Sequence, residues 1–108
     1  MIHELRTYDL VPNRRTALYE RFRNGAFALL KKHGFKMLHM WEPTDGREKL
    51  IYLLQWEDAN AREAGWNAFR MDPDWQKLKT ETEAQGQMVT KMDYILLRDA
   101  PFAKGLLP

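Results

Sequence analysis

A four-stranded antiparallel sheet in the order βαββαβ, an α+β fold with its helices on one face, is what this 108-residue chain predicts. Three observations carry that prediction. Residues 37–41, 50–54, 94–97 and, more weakly, 1–10 are apolar on consecutive positions and too short for buried helices, so they read as strands covered on both faces. Two longer stretches between them repeat their apolar residues at helical spacing. Turn signals separate the segments. The remaining residues can cover one face of such a sheet, so the other face calls for a partner, most simply a second copy.

The first strand covers residues 2–10 and ends at Val11-Pro12, after which Asn13 is placed to cap a helix. That helix extends to His33. At about 100° per residue, Leu18, Tyr19, Phe22, Ala26, Leu29 and Leu30 share one arc, while Arg14, Arg21, Arg23, Lys31 and Lys32 fall outside it. Gly34 follows as a helix-ending residue, behind the cations a helix C-terminus favours. The second strand covers residues 35–42, Pro43-Thr44-Asp45-Gly46 forms a hairpin turn, and the third strand covers 49–57. A second helix opens at Asp58 or Asn60, with Asn60 and Glu63 spaced as a capping box. It breaks at Asp72-Pro73, where Asp72 caps a shorter helix with Pro73 at its first position. That helix carries a narrow stripe, Trp75, Leu78 and Thr82, and stops near Gly86. The fourth strand covers residues 88–98. Residues 1–99 thus form one domain and 100–108 a tail. This order is the ferredoxin-like plan, in which right-handed crossovers place both helical regions on one face.

Composition excludes several function classes. A net charge of +2, from 17 Lys and Arg against 15 Asp and Glu, gives no electrostatic case for a nucleic-acid partner or an anionic membrane. There is no cysteine, hence no disulfide and no thiolate nucleophile. His3, Glu4, Arg6 and Asp9 interrupt the opening segment, and no stretch approaches the ~20 apolar residues of a membrane span. A cytoplasmic protein without integral membrane association is the expectation. G-x-S-x-G, P-loop and G-x-G-x-x-G motifs are absent, and the three histidines lack H-x-x-x-H or H-E-x-x-H spacing. No metal and no cofactor are expected.

Glu4, Arg6 and Tyr8 alternate along the first strand and so share a face. On a covered face, a carboxylate and a guanidinium must pair. The plainer reading is a structural ion pair; the functional one has Arg6 orienting an anionic substrate with Glu4 as base. On the second helix, Ala61, Ala64, Ala68 and Met71 form the apolar face, and Trp66 stands off it among Arg62, Glu63 and Arg70, a position for a dimer contact or a lid. The small residues around Gly65 let this helix sit close to the sheet or leave room for a ligand. Four tryptophans exceed what a small core needs, with Trp75 the plainest core residue. Tyr8, Trp41, Tyr52, Trp56, Trp66 and Asn67 are therefore candidate ligand-binding residues for a flat apolar molecule. His39, between Met37 and Trp41 at alternate positions, reads as partly covered and is the candidate general base; His33 suits the last turn of the first helix.

Ile2-His3-Glu4-Leu5-Arg6-Thr7-Tyr8 resembles the opening strand of NIPSNAP-family domains, I-x-E-L-R-T-Y. The resemblance continues through Lys32-His33-Gly34, Trp41 and Asp72-Pro73-Asp74-Trp75, covering residues 2–98. It implies a dimeric α+β barrel, in which the sheets of two ferredoxin-like subunits pack face to face. It supplies no catalytic residues to carry over. Animal members are mitochondrial, and the lack of a transit segment here points to a bacterial cytosolic member. Related barrels include cofactor-free monooxygenases, lactone isomerases and heme-degrading enzymes, whose sites use Trp, Asn, Tyr and His. The functional expectation is a homodimer that binds a small, largely apolar or aromatic molecule between sheet and helices. A cofactor-independent monooxygenase or isomerase, or a structural or protein-interaction module, is the alternative.

Overall fold

β1 (Ile2–Leu10) takes an interior place, between β3 (Lys49–Trp56) and β4 (Val89–Leu97), with β2 (Lys36–Trp41) outside β3. The computed structural model describes residues 1–106. Every pairing is antiparallel, with Arg6 opposite Tyr52 on one side and Tyr94 on the other. α1 (Arg15–Arg21), a π-helical segment (Phe22–Ala26) and α2 (Phe27–Lys32) form one continuous rod; α3 (Ala59–Met71) and α4 (Pro73–Thr82) follow β3. The element order and the ferredoxin-like arrangement are as the sequence predicts. Of the tail, Ala103–Gly105 forms a 3-10 turn; the expectation for residues 107 and 108 lies outside the described residues.

The π segment has a packing consequence. In a regular helix of about 3.6 residues per turn, positions spaced by four drift round the axis; the wider turn, closed by Phe27 N–H donating to Phe22 O, offsets that drift. Leu18, Phe22, Ala26 and Leu30 are accordingly all buried.

The ends correct two expectations. Asn13 adopts φ 68°, the left-handed region, and Arg14 occupies the cap position of α1 without a side-chain cap bond. Asp58 rather than an Asn60–Glu63 box caps α3, its carboxylate accepting from the Ala61 N–H at 2.8 Å. Asp72 caps α4 as expected, with Pro73 in the first turn. Gly34 (φ +81°) ends α2, and Phe35 N–H donates back to Leu30 O.

The face of α3 turned to the sheet is Arg62, Gly65, Trp66 and Phe69, all buried, whereas Met71 is 76 % exposed and Ala64 and Ala68 are exposed. Trp66 is thus a core residue within the subunit, not an off-face interface residue. Gly65 lets α3 approach, since a Cβ there would lie 2.7 Å from the Trp56 ring.

β2 contains a bulge between Met37 and His39, with Met37 opposite Leu54 and His39 opposite Leu53. The extra residue puts Met37 and Met40 on the helix side and His39 and Trp41 on the opposite face, both exposed. This corrects the expectation that His39 is partly covered. On that opposite face His39, Leu53, Leu5 and Ile95 stand in one cross-strand row, with Ile95 54 % exposed. No helix in the described residues is long and apolar enough to cross a membrane.

Candidate functional site: the cleft between helices and sheet

Glu4 is wholly buried, and its five hydrogen bonds decide what it can do. Its Oε1 accepts from Trp56 Nε1 (3.0 Å), Trp66 Nε1 (3.0 Å) and Arg62 Nε (2.9 Å). Its Oε2 accepts from Arg6 Nη1 (2.8 Å) and Arg62 Nη2 (3.2 Å). Burial alone would raise the carboxyl pKa, but the donors on Arg62, Trp66, Arg6 and Trp56 together hold it below the ordinary value. A saturated, stably ionised carboxylate is a poor proton acceptor. The structural ion pair is the reading this geometry favours, with Arg62 as a second guanidinium on the same carboxylate.

Beside this network lies a cavity of about 350 Å³ between the helices and the sheet. Tyr8 and Tyr52, on neighbouring strands, share a hydrogen bond of 2.6 Å at its floor, their rings packed edge to face. Burial pushes the Tyr52 hydroxyl well above its usual pKa, so it stays a neutral O–H. Phe22, Trp66, Phe69 and Trp75 supply apolar wall, and the Phe69 and Trp75 rings lie 4.6 Å apart. Arg6 sits with its guanidinium 4.3 Å from the Trp66 ring centre. At the β4 edge Met92 lines the cavity and is exposed.

Arg21 also lines this cavity and is only 6 % exposed, although its arc reads as solvated from the sequence. It lies three residues after Leu18 and next to Phe22, on the border of the apolar arc. Its guanidinium stacks 5.1 Å from the Trp75 ring, and burial lowers its pKa. Arg62 carries a comparable missed signal: Arg62, Trp66 and Phe69 are spaced i, i+4, i+7, one helical face.

Among the candidate ligand-binding residues, the structure brings Tyr8, Tyr52 and Trp66 together in this cavity. Trp56 lines a separate cleft with His33 and Gly65, and Trp41 a third with Tyr19 and Phe27. Asn67 is exposed and accepts from Arg70 Nη1 at 3.5 Å. His39 packs on Trp41, ring centres 4.7 Å apart, across the sheet from the cavity. His33 joins Asp72, with Nε2 2.7 Å from Oδ2, and ties α2 to the α3–α4 junction. Among the described residues no three His, Asp or Glu side chains converge as metal ligands.

The family model described as NIPSNAP matches residues 3–104. The chain is similar to an uncharacterized NIPSNAP domain protein from Burkholderia xenovorans, at 16 % identity and TM-score 0.80, covering 94 % of this chain and 97 % of that one. It is similar to a NIPSNAP family protein from Agrobacterium tumefaciens, at 14 % identity and TM-score 0.82, covering 94 % and 95 %. More distant is a putative antibiotic biosynthesis monooxygenase from Nitrosomonas europaea, at 10 % identity and TM-score 0.63, covering 92 % and 98 %. At such identities the likeness is one of fold. No curated protein matches the chain.

Proposed function

Since the chain belongs to the NIPSNAP family, we propose that it acts as a homodimer whose protomers each bind a small, largely aromatic molecule between sheet and helices. The aromatic-walled cavity of about 350 Å³ carries this reading. That volume falls at the lower end of ligand sites, about 300–1,000 Å³, and suits a one- or two-ring compound. Trp66 and Trp75 line the wall, so binding there reports directly on tryptophan emission.

The second copy is supported by the open face. Leu5, Ile51, Leu53, Ile95 and Leu97 share the face that no helix covers, a patch of the kind that marks protein contacts. Packing two such faces together buries both rows and leaves each cavity on the outer, helical side of its own sheet.

Titration with 2-naphthol, followed by tryptophan fluorescence and calorimetry, tests the cavity. The expected result is saturable binding with one site per protomer, abolished in Ala26→Leu, which adds bulk to a small buried residue of the lining. Absence of binding, or equal binding by the Ala26→Leu protein, overturns the reading.

A further inference from the structure

We infer that the cavity takes an organic anion, its carboxylate held by Arg21 with Arg6 as a second donor, and its flat body against the aromatic wall. The inference rests on the cavity reading above and adds the charge of the ligand.

Arg21 and Arg6 are both more than nine-tenths buried, and each has a guanidinium nitrogen without a hydrogen-bond partner among the described residues, Nη1 of Arg21 and Nε of Arg6. Buried N–H donors are rarely left unpaired, and charged ones least of all. Among the described residues Glu83 is the one carboxylate within ion-pair range of Arg21, at 3.9 Å, beyond hydrogen-bond length and itself partly exposed. Glu4 offers no further help, because its two oxygens already hold Arg6, Arg62 and two indoles.

The charges around the cleft are therefore out of balance. Arg6 and Arg62 together bring two positive charges to the single buried negative charge of Glu4, the other carboxylate near Arg62, Glu63 at 3.9 Å, being exposed to solvent. Arg21, Arg70 and Lys79 line the cavity against Glu83 alone. The surplus is positive, in a place where low polarity strengthens its pull on an anion. A carboxylate matches the planar fork of a guanidinium. One proton of the Tyr8–Tyr52 pair is used between them, and the other hydroxyl proton is free for a second oxygen of the ligand. The π segment begins at the residue after Arg21, which fits the tendency of such segments to occur at functional sites.

Matched ligands test this. Calorimetry at neutral pH with 2-naphthoate and 2-naphthamide is expected to show the acid binding about tenfold or more tighter, the range for a hydrogen bond to a charged group. In Arg21→Gln the acid loses that preference while the amide keeps its affinity. Glu83→Gln, at a partly exposed position and thus safe for folding, removes the competing carboxylate and is expected to tighten the acid alone. If the amide binds wild type as well as the acid does, or if Glu83→Gln leaves the acid unchanged or weaker, the inference fails while the cavity reading stands. If neither compound binds, both fall.

Discussion

On the helix side of β1, Glu4, Arg6 and Tyr8 are polar yet buried; on the other side of the same strand Leu5 is apolar and lies on a face without helical cover. β3 is built the ordinary way round, with Leu50, Tyr52, Leu54 and Trp56 buried on the helix side and Lys49, Ile51, Leu53 and Gln55 on the other. β1 shows that polarity alone is a poor guide to which side of a strand is inside. What decides is whether each polar group finds partners: Glu4 finds five donors and is buried, while apolar Ile95 and Leu97 on the open face stay exposed.

The largest expected effect breaks the buried side. Glu4→Ala leaves two guanidiniums and two indole N–H groups without their acceptor and is expected to cost about 3–5 kcal/mol in urea denaturation, as for other broken buried ion pairs. A cost below about 1 kcal/mol would show that the network is no better than a surface pair. Leu53→Lys, in the middle of the open face, is expected to leave the circular dichroism spectrum native while halving the particle mass in light scattering. If that variant unfolds the isolated chain instead, the open face contributes to the subunit core. Smaller again is Gly65→Ala, where a methyl 2.7 Å from Trp56 forces α3 outward, at about 1–3 kcal/mol by thermal melting.

The smallest effect concerns pH. His33, then Lys32 and the Asp74 backbone N–H, hold the Asp72 carboxyl below its ordinary 3.8. A depressed pKa in the folded state stabilises the fold above the ordinary carboxylate range, and that contribution is lost as pH falls through and below it. Asp72→Asn is expected to flatten the acid limb of a Tm-against-pH curve and to leave its neutral region in shape. An unaltered acid limb would assign the acid sensitivity elsewhere, Glu4 first.

Much of the architecture was legible because it rests on local signals. Consecutive apolar runs and turn signals mark all four strands, β1 occupies residues 2–10 as expected, and Asp72-Pro73 marks the start of α4. Shared sidedness of Glu4, Arg6 and Tyr8 followed from strand geometry alone. What was hidden depended on long-range pairing or on register. Arg21 and Arg62 read as solvated because a charged residue on a helix usually is; their burial depends on Trp75, Trp66 and Glu4, brought in from other elements. Trp66 reads as off-face because Ala61, Ala64, Ala68 and Met71 form the more apolar arc, yet Ala64, Ala68 and Met71 of that arc are turned away from the sheet. His39 changed sides through one inserted residue, Leu38, which alternation cannot register.

Sedimentation equilibrium on the wild-type chain tests the contrast between the faces most directly. The account predicts twice the chain mass of 12.9 kDa, persisting on dilution into the low micromolar range. A folded species of single-chain mass at higher concentration would contradict it.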